Sequence, residues 1–125
     1  MSRKKKRKKQ YIARFEEGEL DFLIKREFPE KYIEVKNKFS GLKYYGLSPE
    51  RTMAAILKLA DRDFDKIKGL IKDANTDPRD VITYAEYPIS SKLSWTEEKN
   101  MTEEEKEEMN EKQWQQYQEW KNKGK

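Results

Sequence analysis

The side chains in this sequence best placed to do chemistry are cations. Arg3, Lys4, Lys5, Lys6, Arg7, Lys8 and Lys9 form an unbroken run near the N-terminus. A run of like charges repels itself and has nothing to bury, which predicts a disordered basic arm over residues 1–10. Clustered lysine and arginine release counterions from a polyanion. The arm therefore suits sequence-independent contact with a DNA or RNA backbone. The same composition also fits a solubilising tail, a nuclear-import signal in a nucleated cell, or a tether to anionic lipid.

The usual reactive groups are missing. Without cysteine there are no disulfides, thiolate metal sites or thiol nucleophiles. Without histidine the commonest general base and metal ligand is gone as well. Asp61, Asp63 and Asp65 alternate as at the start of a calcium loop, but Lys66 and Lys72 stand where that loop needs its glycine and its last glutamate. Nothing in the sequence brings two carboxylates into an apolar pocket, and no Gly-rich phosphate loop or nucleophile elbow is present. The expectation is a protein that is not an enzyme and uses no cofactor or metal. A helix-turn-helix reading would offer Arg79, Thr83 and Tyr84 to a groove. Asp77, Asp80 and Glu86 would place repelling acid on the same helix.

Charge is distributed unevenly. The chain of 125 residues has a net charge of +4, but taking the seven arm cations from its 28 basic residues leaves 21 against 24 acidic ones, a balance of −3. Hydrophobic residues make up 34% and charged residues 42%, too polar for a core running the full length, while 12% aromatics argue against wholesale disorder. A small core with polar extensions follows. No apolar run approaches the roughly 20 residues that span a bilayer, and no apolar segment follows the basic start as in a secretory signal. These features predict a soluble cytoplasmic protein, nuclear only in a eukaryote.

The elements that must position these groups are helical. The spacing predicts an all-α bundle of about five short helices over residues 11–95. Leu20, Leu23, Ile24 and Phe28 lie on one helical face, with Phe15 and Phe22 near it and Gly18 marking a looser lead-in. Pro29 breaks that helix and suits the first position of the next, which carries Tyr32, Val35 and Phe39 and stops near Gly41. In the connector that follows, one of Tyr44 and Tyr45 beside Lys43 reads as a cap on the core and the other as a surface residue, with base stacking as the alternative.

Residues 48–88 carry the clearest grammar. Ser48-Pro49-Glu50 starts a helix with a Met53, Ile56, Leu57, Ala60 stripe, in which Ala54 and Ala55 act as low-cost filler. Asp61 or Asp63 caps the next helix, which carries Phe64, Ile67, Ile71 and Ala74; its central Gly69 implies a close helix crossing. Asp77-Pro78 starts another, with Val81, Ile82 and Ala85, ended by Pro88. Leu59-Ala60, Asp63, the run Asp77-Pro78-Arg79-Asp80-Val81 and the run Ala85-Glu86-Tyr87-Pro88 resemble a pattern in short bacterial helical proteins of uncharacterised function. The resemblance spans roughly residues 51–88, implies a bacterial source and transfers no activity.

Beyond a linker whose Ile89, Leu93 and Trp95 are expected to lie over the bundle, residues 96–125 predict a polar helix. Thr102 and Glu105 have capping-box spacing at its start, and Trp114, Tyr117 and Trp120 recur every three residues near its end. The helix either packs these aromatics back on the bundle or offers them to a protein partner. Two functional expectations follow: a non-enzymatic accessory protein that meets nucleic acid through its arm, and an adaptor or inhibitor that acts through Trp114, Tyr117 and Trp120. A purely structural role is the third. The sequence leaves the oligomeric state open.

Overall fold

A computed structural model describes residues 13–43 and 48–125. These residues form seven α-helices and one short 3₁₀ turn, with no strand among them: α1 (Glu19–Glu27), α2 (Tyr32–Phe39), α3 (Pro49–Ala60), α4 (Asp65–Thr76), α5 (Pro78–Glu86), the 3₁₀ turn (Ser90–Lys92), α6 (Trp95–Lys99) and α7 (Glu103–Asn122). The all-α expectation holds.

The predicted start signals work as hydrogen bonds. The Arg51 amide donates to Ser48 Oγ at 3.4 Å at the head of α3, and the Arg79 amide to Asp77 Oδ1 at 3.0 Å at the head of α5. Proline occupies the first helical position in both. Between α3 and α4 Phe64 holds the cap position without a side-chain bond, and Asp63 just before it accepts from the Asp65 amide at 3.0 Å. Thr102 and Glu105 close a reciprocal capping box, as their spacing predicts. A second box, Ser94 with Glu97, starts α6 at the end of the expected linker, so the 96–125 stretch expected as one polar helix holds most of α6 as well as α7.

α3 lies at the centre. Ala54, Ala55, Ile56, Leu57 and Ala60 are fully buried, so the helix is covered on most sides by α1, α4 and α5. The two alanines are therefore core residues rather than filler, their small side chains letting neighbouring helices come close. Leu23, Val35, Phe39, Ile67, Ile71, Val81 and Ala85 complete the apolar centre. A part-buried fork ties α3 to α5, with Arg51 Nε and Nη2 donating to the two Glu86 oxygens at 2.8 and 2.7 Å. Asn75 holds the connector after α2, donating to the Gly41 carbonyl at 2.9 Å and accepting from the Lys43 amide at 2.7 Å. Tyr44 and Tyr45 lie outside the described residues.

Three expectations need correction. α2 begins at Tyr32, not at Pro29, because residues 29–31 form a bend in which the Lys31 amide donates to the carbonyl of buried Phe28. Trp95 does not lie over the bundle: it is 75% exposed, at the first turn of α6. Gly69 marks no close crossing, since a Cβ built there meets nothing within 4 Å. Gly69 thus costs helix propensity with no packing return. Gly69→Ala is expected to raise unfolding free energy by about 1 kcal/mol in urea denaturation.

Candidate functional site

α7 returns to the bundle and docks through a face that the sequence disguises. Its buried residues are Met109, Gln113, Tyr117 and Lys121, four apart along the helix. Two of the four are polar, so the face carries no apolar stripe to read.

Each polar member has a specific partner. Gln113 Oε1 accepts from the backbone amides of Ile89 and Ser90 at 2.8 and 2.7 Å, and its Nε2 donates to Ser90 Oγ at 3.0 Å. Gln113 thereby satisfies two amides freed where Pro88 ends the α5 segment. The Lys121 ammonium pairs with Glu19 at 2.9 Å, and Lys125 bonds the same carboxylate. Burial acts to raise the Glu19 pKa, but bonds from Lys125, the Glu16 amide and Lys121 outweigh it and hold the group down to about 2 from the ordinary 4.5. Arg26 Nη1 donates to the carbonyls of Lys121 and Lys123 at 3.2 and 2.8 Å, satisfying the open end of α7.

The three aromatics proposed as partner anchors have different fates. Tyr117 is 1% exposed, so its ring belongs to the core and is not an open anchor. Burial, then the Glu86 carboxylate, pushes its hydroxyl above the ordinary phenol range. Trp120 packs on the core, donates to Glu27 Oε1 at 3.4 Å and lies under the Arg26 guanidinium at 5.0 Å. Trp114 is half-buried. Arg3, Lys4, Lys5, Lys6, Arg7, Lys8 and Lys9 all lie outside the described residues.

The bundle also presents a corner that no motif announced. The turn after α3 carries Asp61 and Arg62 with φ of +49° and +64°, two consecutive non-glycine residues in the left-handed region. This stops α3 sharply, at a cost of roughly 1–2 kcal/mol for a residue without a local compensating bond. Arg62 then lies between two adjoining clefts. The larger, about 590 Å³, is lined by Glu27, Lys58, Leu59, Asp61, Arg62, Gln116, Trp120 and Lys123. The smaller, about 230 Å³, includes Lys31, Arg62 and Phe64. The Lys31 and Lys38 amines lie 4.6 and 5.5 Å from the Phe64 ring centre. Burial lowers the Lys58 pKa from the ordinary lysine value, with Asp61 pulling the other way.

Elsewhere a groove of about 450 Å³ between α1, α2 and α3 is floored by Phe15, Leu20, Ile24 and Met53 and rimmed by Glu16, Glu17 and Glu50. Among the described residues no cluster of three metal-ligating side chains occurs, and no helix is long and apolar enough to cross a membrane. No family model matches this chain, nor does any curated protein or solved structure. Sequence reasoning missed the corner because Lys58, Arg62 and Lys123 come from three separate elements. The only local trace is Asp61-Arg62-Asp63 interrupting the apolar pattern.

Two stability measurements test the docking of α7. Tyr117→Ala is expected to cost about 3–5 kcal/mol, as for other buried rings. Tyr117→Phe is expected to be neutral or stabilising, since the hydroxyl has no hydrogen-bond partner among the described residues. Because the Glu19 pKa is lower in the folded state, its contribution is complete above about 4.5 and is lost as pH falls through about 2. The melting-temperature gap between the parent and Glu19→Gln should therefore be largest near neutrality and close between those two values.

Proposed function

We propose that this protein is a non-enzymatic accessory module that associates with nucleic acid through the phosphate backbone, using Arg3, Lys4, Lys5, Lys6, Arg7, Lys8 and Lys9. The observation that carries this reading is the segregation of charge: seven cations in one run on a chain whose remainder has 21 basic and 24 acidic residues. A body with a net acidic balance is repelled overall by a polyanion, so the arm supplies the main attraction. Contact of this kind tracks phosphates and carries no base preference.

The adaptor reading loses one of its anchors, because Tyr117 is buried. What favours a protein partner is Trp95, 75% exposed with the Lys99 amine 4.8 Å from its ring centre. Large exposed aromatics of this kind are common at the energetic centre of interfaces.

Fluorescence anisotropy with a generic duplex and a single strand, between about 50 and 200 mM salt, tests the arm. The full chain is expected to bind with a logarithmic salt slope of about −3 to −6, since each neutralised phosphate contributes about −0.9. A variant lacking residues 2–9 is expected to lose binding. Equal affinity with and without the arm, or no binding by the full chain at low salt, would reject this reading and leave Trp95 as the feature to pursue.

A further inference from the structure

We infer that the larger cleft at the α3–α4 corner binds phosphate groups, giving the folded body an anion contact separate from the N-terminal arm. Lys58 from α3, Arg62 from the turn and Lys123 from just beyond α7 all line this one cavity. Its two carboxylates, Glu27 and Asp61, offset these three cations only in part. Glu27 is already engaged by Arg26 at 3.1 Å, by Arg62 at 3.5 Å and by the Trp120 indole at 3.4 Å. Asp61 makes no contact ion pair among the described residues and acts on Lys58 from a longer range.

Lys58 is the most telling member. Burial works against its charge, Asp61 is the carboxylate that acts on it, and its amine makes no hydrogen bond or contact ion pair among the described residues. A partly desolvated ammonium without a contact ion pair is stabilised by an anion entering the cleft. Arg62 adds planar donors suited to phosphate oxygens. Beyond Arg62, Lys31 and Lys38 lie beside Phe64, with Glu27 and Glu30 in the lining of the smaller cleft, so further cations stand near the corner but not as an unbroken run.

Helix ends explain part of this arrangement. Lys58 stands in the last turn of α3 and Lys123 caps the end of α7, where cations offset the dipole. Arg62 follows the α3 C-cap Asp61 and so stands just past that helix end, while the carbonyls of Lys121 and Lys123 at the end of α7 are already taken by Arg26.

The corner deepens the nucleic-acid reading by adding a phosphate contact on the folded body to the one proposed for the arm. The phosphate contact itself rests on the cleft alone and can be tested apart from the arm.

The test is a titration of the full chain with inorganic pyrophosphate, followed by nitrogen-edited NMR at the Trp120 indole N–H and the Arg62 Nε–H. Both signals are expected to shift and saturate. Arg62→Gly removes the cation while suiting the left-handed backbone, so it should fold at least as stably as the parent and bind about fivefold or more weakly. Asp61→Asn keeps a residue that tolerates positive φ and removes the opposing charge. It should bind about threefold more tightly, a gain that misfolding does not mimic. Deleting residues 2–9 should leave the cleft shifts intact, so failure of the arm and failure of the cleft give different results. Shifts that do not saturate, shifts confined to residues 3–9, or an Arg62→Gly variant that binds like the parent would each overturn the inference.

Discussion

The structure depends on the burial of α3. A helix with Ala54, Ala55, Ile56, Leu57 and Ala60 all fully buried can exist only if other elements cover nearly its whole circumference. Ile56 and Leu57 each contribute roughly 1.5–3 kcal/mol by leaving water, and the small residues between them set how close the neighbours come. α1, α4 and α5 supply that cover. The Arg51–Glu86 fork then fixes α5 against α3 by two short charge-assisted bonds. In so polar a chain a single central helix is an economical design, since it concentrates the scarce apolar residues around one axis.

α7 is attached by different physics. Its docking face mixes Met109 and Tyr117 with Gln113 and Lys121, and the polar pair is as deeply placed as the apolar pair. Gln113 supplies an acceptor to two backbone amides at a helix end, and Lys121 reaches a glutamate whose position depends on the Gly18 turn. Such contacts are specific in geometry and costly to break, because each broken partner leaves a buried polar group unpaired. They fix where α7 sits more than they drive it there. The exposed side of the same helix carries most of its glutamates, which keeps the acidic charge of the body in water.

The charge pattern has two levels. Along the sequence, cations gather in residues 3–9 and leave an acidic remainder. In space, Lys58, Arg62 and Lys123 gather again at the corner of α3 and α4, although each is surrounded by ordinary residues in the chain. The first level follows from covalent neighbours and the second from three elements ending near one another. The corner turn is held in an uncommon backbone conformation at two successive residues, which places Arg62 between the two clefts.

The sequence by itself determined what is local. Ser48, Asp77 and Thr102 start helices because a side-chain oxygen next to free amides acts within one turn, whatever the rest of the chain does. The stripes that bury Leu23, Val35, Ile56, Ile67 and Val81 follow from helical period in the same way. Tertiary structure decided what depends on encounter. Ala54 and Ala55 became core because helices closed on both sides of α3. Gly69 had no crossing to serve because none forms there, and Trp95 stayed outside because nothing packs over it. Gln113 and Lys121 were illegible as buried residues because burial of a polar group depends on a partner far away in sequence: Ile89 and Ser90 for one, Glu19 for the other. The cationic corner was hidden for the same reason, since periodicity records which face of a helix is apolar but not which ends of which helices meet.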